Sequence, residues 1–233
     1  GNPYVVGFPS LAGDGSAFGT NMTGYVMLKH VQIDYTGDYI SEYKGSTPAI
    51  QFRYADVLLN YAEALAEKNG AANAGKIIEI LHPLRERAGM PDIDFDREYN
   101  TSAEYPFRNL DKYIQAVRRE RRVEKALEGR RVFDIMRWAA AEELIIGNRA
   151  HGALFIGSNL PEQYGPELKY DQASGNNMFL TGSPDDAERY ILPVPPSTMP
   201  NGWQFKPSRD YLLPIQERMI NVMDGMWEQN PGW

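Results

Sequence analysis

The sequence predicts a mainly α-helical fold of helical hairpins, long ordered loops and a few short β-strands. Three observations predict it. Residues 54–88 carry apolar side chains at helical spacing in two successive segments. Residues 114–146 repeat that spacing within a stretch dense in charge. Residues 147–190 are rich in Gly, Asn, Pro and Ser, and the apolar runs that follow are brief and stopped by proline.

A chain of 233 residues can hold one large or two small domains with a substantial core. The formal charge of −7 argues against electrostatic capture of nucleic acid. The Arg-rich helix is no basic stripe, because it carries its own acids. With no cysteine, disulfides, thiol catalysis and cysteine-ligated metal are excluded. No run approaches the ~18 apolar residues of a membrane span. No cofactor is expected.

Residues 1–24 read as a loop, and the glycines from Gly13 to Gly19 lack nucleotide-binding spacing. Residues 24–34 partly alternate and suit an extended segment. Tyr35, Tyr39 and Tyr43 then recur every four residues among Asp34, Asp38 and Glu42. Aromatic faces stack on the C–H faces of sugar rings and carboxylates accept from hydroxyls, so this grouping suits a glycan as well as local packing.

Residues 49–53 form an extended entry. Tyr54, Leu58, Tyr61 and Leu65 make one helical stripe, with Gly70 as a C-terminal cap. Residues 75–88 form a second helix with Ile77, Leu81, Leu84 and Ala88 on one face and Pro83 expected to kink it. Two helices joined by a short loop make a hairpin. Ala62 and Ala74, twelve apart, match the paired small residues of a tetratricopeptide repeat. Asp92, Asp94 and Asp96 alternate, but Arg97 and Ala103 stand where a calcium loop needs Gly and Glu, leaving a solvated acidic loop.

The most constraining stretch is 114–138. Ile114, Val117 and Leu127 can face a core, as can Val132, Phe133, Met136 and Ala140 beyond Gly129, with a second helix over 131–146. Glu120, Glu124 and Glu128 recur at four-residue steps, as do Arg118 and Arg122. Stacking like charges costs about 0.2–0.5 kcal/mol per pair on an isolated helix. Pairs within the stretch, Arg121 with Glu124 and Arg130 with Asp134, offset part of this. The acidic row therefore either meets cations on other elements, Arg85 and Arg87 being candidates, or is a solvated face. Near the end, residues 190–195 and 211–215 both read as apolar strands stopped by proline. Trp203, in the turn-prone 201–205 segment between them, is either a stacking platform or a buried side chain.

The string E-R-R-V-E-K-A-L-E-G-R-R-V-F-D-I-M-R-W (120–138) resembles the E-R-R-x-E-L-x-x-E-G-x-R-x-x-D-L-x-R-W signature of SusD/RagB-like proteins. These are outer-membrane glycan-binding lipoproteins of Bacteroidetes. The matching positions are Glu120, Arg121, Arg122, Glu124, Glu128, Gly129, Arg131, Asp134, Arg137 and Trp138. R-Y-A-D-V-L-L-N-Y-A-E-A (53–64, with Arg53, Asp56 and Glu63), L-R-E-R-A-G-M-P (84–91) and the final Q-N-P-G-W are similar to further family motifs. Gln216 departs from the family's proline after L-P-I. The resemblance implies that the whole of 1–233 is a C-terminal domain, with 1–24 a loop cut from its N-terminal context. It further implies capture of an oligosaccharide at the cell surface and delivery to a SusC-like TonB-dependent transporter. The membrane anchor would be an N-terminal lipidated cysteine that this chain lacks. A peptide ligand, as in the RagB branch, is the alternative within the family, and a tetratricopeptide adaptor is the alternative outside it.

Enzyme readings have little support. His30, His82 and His151 lack zinc-site spacing, and no G-x-S-x-G elbow occurs. A glycosidase needs two carboxylates about 5–10 Å apart, which composition alone does not exclude. The acids of the signature lie among arginines on packing helices, which favours ion pairs over catalysis. Trp138 ends an apolar stripe and reads as core.

Overall fold

In the computed structural model the described residues are 22–23, 25, 29, 50–164, 169–171, 176–177 and 179–233. The elements in chain order are α1 (Tyr54–Arg87), α2 (Lys112–Glu124), α3 (Arg131–Arg137), α4 (Ala141–Leu144), β1 (Leu154–Ile156) and α5 (Leu160–Tyr164). They are followed by β2 (Lys169–Asp171), β3 (Asn176–Asn177), β4 (Phe179–Leu180), β5 (Arg189–Leu192), α6 (Pro207–Asp210) and α7 (Glu217–Val222). The chain divides into two compact units: residues 1–47 with 145–204, and residues 48–144 with 205–233.

The helical unit is built on α1, which is a hairpin rather than a rod. Asn69 leaves the helical region (φ −172°, ψ 88°), and its side-chain oxygen accepts the Ala72 N–H at 3.0 Å, capping the second arm. Asn73 ties the bend by donating to the carbonyls of Asn69 (2.7 Å) and Leu65 (3.3 Å). A straight helix of 34 residues would hold its ends ~50 Å apart. Instead Arg53 and Arg87, at the two ends, grip the same carboxylate of Glu124 at 2.6 and 2.7 Å. The expected hairpin is present, and the turn falls at Asn69 instead of at a Gly70 cap. Gly70 lies buried within the second arm, where an added Cβ would stand 2.5 Å from the Tyr113 Cβ. Pro83 is accommodated inside that arm without ending it.

The first arm presents its core one residue away from the expected stripe. Ala55, Leu59, Ala62 and Ala66 are buried, whereas Tyr54 and Tyr61 are exposed. Leu58 and Leu65 pack only at the edge. The small alanines let the backbones approach, so packing selects the narrow side of the helix over the large aromatics. The second arm buries Ile77, Ile80, Leu81 and Leu84 against them, with Ala116 and Val117 of α2 closing the cluster. Asp111 caps α2 by accepting from Tyr113 N at 2.9 Å. Fully buried Gln115 uses its amide to bind both backbone groups of Asn100 at 2.8 Å and the Phe107 carbonyl at 3.2 Å, which fixes the irregular 97–111 segment.

Beyond α2 the expected core face changes. Leu127 adopts a left-handed conformation (φ 66°) and is exposed, as are Val132 and Phe133. The buried apolar residues here are Ile135 and Ala141 together with Ala140, the one member of the expected face that is buried. Ala139, also left-handed (φ 48°), splits the expected 131–146 helix into α3 and α4. Residues 211–215 do not form the expected second strand. Their backbone is held by the last residues: the Gln229 amide accepts from Ile215 N and donates to Ile215 O, both at 2.8 Å. Asn230 donates to Leu213 O at 2.7 Å and the Trp233 indole to Leu212 O at 2.8 Å. Side chains thus take the place of a partner strand.

In the other unit, β5 runs between β1 and β4 in a three-stranded antiparallel sheet, and β2 pairs with β3. Phe155 and Ile191 are fully buried and gather Met22, Ile156, Leu160 and Leu180 around them. The expected strand at 190–195 is β5, which ends before Pro193.

Replacing a helical glycine by alanine ordinarily stabilises a helix by up to about 1 kcal/mol. Here Gly70→Ala is expected to destabilise by about 1–3 kcal/mol, because the methyl group meets the root of the Tyr113 side chain. Urea unfolding of the two proteins measures the sign directly.

Candidate functional site

The signature residues form an ion-pair lattice between α1, α2 and α3. Arg53 donates through Nη1 to Glu124 Oε1 (2.6 Å) and through Nη2 to Glu128. Lys125, itself buried, holds Asp56 at 2.7 Å and Glu128. Buried Arg85 reaches Glu120 at 2.5 Å and Glu98 at 3.0 Å, and its Nε donates to the Pro91 carbonyl at 2.6 Å. The acidic row therefore meets Arg85 and Arg87, together with Arg53. The pairs expected within the stretch do not form as drawn. Arg121 turns to Asp134 (2.7 Å) and Asn60 (2.8 Å), and Arg130 donates to the Gln51 carbonyl (2.6 Å).

Buried Glu63 accepts two parallel bonds from Arg137, each 2.6 Å, and a third from the Trp138 indole N–H at 2.6 Å. Trp138 is only half-buried and is not the apolar core residue expected. The guanidiniums of Arg118, Arg137 and Arg131 lie 4.5, 5.0 and 5.6 Å from its ring, with the Phe107 ring edge-on at 5.9 Å. Its indole binds cations on its faces and a carboxylate at its edge, which an alanine or leucine could not do.

Burial pushes the Asp56, Glu63 and Glu124 carboxyls up. Hydrogen bonds from Lys125, from Arg137 and Trp138, and from Arg87 and Arg53 outweigh it, so all three lie below their usual range. Glu120 runs the other way: burial, with Glu98 close by, outweighs Arg85 and raises it. The three aspartates at 92–96 serve separate ends. Asp92 faces His82 at 2.7 Å, Asp94 caps the turn by accepting from the N–H groups of Asp96 and Arg97, and Asp96 pairs with Lys112 at 2.5 Å. No group of three metal-ligating side chains occurs among the described residues.

Of the four expected ligand contacts, Tyr35, Tyr39 and Tyr43 lie outside the described residues. Trp203 is described and its side chain is 41% exposed. Its backbone is held on both sides, with Trp203 N donating to Asn148 O and Gly147 N to Trp203 O, each at 2.9 Å. Gly202 (φ 68°) leaves no room for a Cβ against the Gly147 carbonyl. Gln204 donates to the carbonyls of Asn201 (3.0 Å) and Gly202 (3.2 Å), and Arg149 to that of Pro200 at 2.5 Å. The loop therefore presents a large aromatic face on a fixed backbone. Sequence reasoning missed Lys125 and Glu98. Lys125 sits inside the signature string, and a lysine one residue from the acidic row was the available signal. Glu98, in an irregular segment, offered none.

A folded-state pKa below the unfolded one gives stability that is full above the unfolded value and lost as pH falls through the folded one. Unfolding free energy should therefore fall below about pH 4.5. Glu63→Gln should cost about 1–3 kcal/mol at pH 7 and flatten the loss between pH 5 and pH 3. Denaturant titrations at several pH values check both.

The whole chain, residues 1–233, matches the model of the SusD family. Over 110 residues it is 32% identical to SusD-like protein P25 of Formosa agariphila, an alignment covering 46% of this chain and 18% of that protein. The solved structure of selenomethionine BT4246 is similar over 82% of this chain and 25% of its own, with a TM-score of 0.51 and 26% identity. The matched chain thus spans about a quarter or less of the length of these relatives. By the match of its whole length to that model, the chain belongs to the SusD family.

Proposed function

We propose that this chain is part of a non-catalytic, cell-surface binding protein that captures an oligosaccharide and delivers it to a SusC-like TonB-dependent transporter. The observation that carries the reading is Trp203: an exposed indole on a loop whose backbone is bonded on both sides. Such a platform is pre-organised, so little conformational entropy is lost when a sugar ring stacks on it. Family membership supports the ligand class and the setting, an outer-membrane lipoprotein facing outwards. The acids of the signature support a non-catalytic role, because each is engaged by arginine or lysine within the scaffold. No described helix is long and apolar enough to cross a membrane. Tyr35, Tyr39 and Tyr43 are proposed as further stacking groups.

Isothermal titration with a glycan panel and a peptide panel tests the reading. Binding heats are expected with a glycan, and Trp203→Ala should weaken that binding roughly three- to tenfold with an unchanged melting temperature. Heats with peptides alone would replace the oligosaccharide by a peptide. Glycan turnover at enzyme-like rates would overturn the binding role.

A further inference from the structure

The corner between α2 and α3 encloses a cleft of about 310 Å³ that the signature lattice does not fill. Four cations line it, Arg121, Arg122, Lys125 and Arg131, against one carboxylate, Asp134. Two of the cations are committed: Arg121 to Asp134 and Asn60, and Lys125 to Asp56 and Glu128. The other two are not. Arg122 is exposed and makes no ion pair among the described residues, and Arg131 Nη1 is buried without a hydrogen-bond partner. Arg131 leans on the Trp138 ring, which attracts its charge but accepts no bond from Nη1.

A buried guanidinium N–H without an acceptor has lost its water and gained nothing in return. Burial and then the neighbouring Arg122 charge both push Arg131 below the usual arginine range. Leu127, another residue of the lining, has a left-handed backbone conformation and is exposed. Like charges side by side on the lining, with a guanidinium whose buried Nη1 has no acceptor, favour an anion supplied from outside.

We propose that this corner is an oxyanion site in which Arg122 and Arg131 jointly bind a carboxylate or sulfate group. The planar guanidinium matches both groups in two parallel bonds. The volume is about that of ten water molecules, at the lower end of small-molecule pockets, so a ring carrying the anion fits as well as the free ion. Leu127 offers the ring an apolar edge. The inference does not depend on the role of Trp203.

Melting temperature and titration heats are followed with sodium glucuronate, sodium sulfate, glucose, and sodium chloride at matched ionic strength. Sulfate or glucuronate should stabilise with saturation, while glucose and chloride should not. Tighter glucuronate than sulfate assigns the group to a sugar, and the reverse order to a free anion. Arg122→Gln, at an exposed position, and Arg131→Gln should each weaken the saturating response at least tenfold. Absence of saturation in the unaltered protein, or a saturating response that neither variant weakens, overturns the site.

Discussion

The carboxylate of Glu124 is the constraint on which the helical unit depends. It receives Arg53 from the start of the α1 hairpin and Arg87 from its end, so one side chain of α2 fixes both arms. Around it, Arg85 with Glu120 and Lys125 with Asp56 repeat the same cross-helix arrangement. Like charges stacked along α2 are unfavourable in isolation. They become favourable only when cations of the other sign arrive from another element. The charge order is thus an instruction for tertiary structure written into one helix.

This changes what the dense charge of residues 120–138 means. A run of arginines and glutamates invites a ligand, yet the glutamates are spent on the scaffold and Trp138 is occupied by Glu63 and three guanidiniums. The proposed ligand chemistry uses two kinds of place. One is the loop that holds Trp203 out on a fixed backbone, and the other is the corner where, among the described residues, Arg122 makes no ion pair and Arg131 Nη1 no hydrogen bond.

Much of the helical organisation was legible because periodicity and charge are local signals. The α1 hairpin and most of the second-arm stripe follow from spacing, although Ala88 is exposed and Ile80 buried. Spacing left the acidic row either solvated or meeting Arg85 and Arg87, and the ion pairs decide for the latter. The phase of the first arm was not legible, since Tyr54 and Tyr61 outweigh Ala55 and Ala62 in hydrophobic bulk although the alanines pack. Leu127 and Ala139 carry left-handed backbone that no residue type announces. Residues 211–215 have a strand-like composition, but Gln229, Asn230 and Trp233 satisfy their backbone from far along the chain. At the candidate site, the sequence marked Trp203 but could not say that its loop is braced, because the braces are backbone groups of residues 147 and 148.

A double-mutant cycle on Arg53 and Glu124, each changed to methionine and measured by denaturant unfolding, tests the central claim most directly. A scaffold pair of this burial predicts a coupling energy above about 1 kcal/mol, with the double change costing less than the sum of the two single changes. Additive effects, with coupling near zero, would mean that the charged row is a solvated face and that the hairpin is held by its apolar core alone.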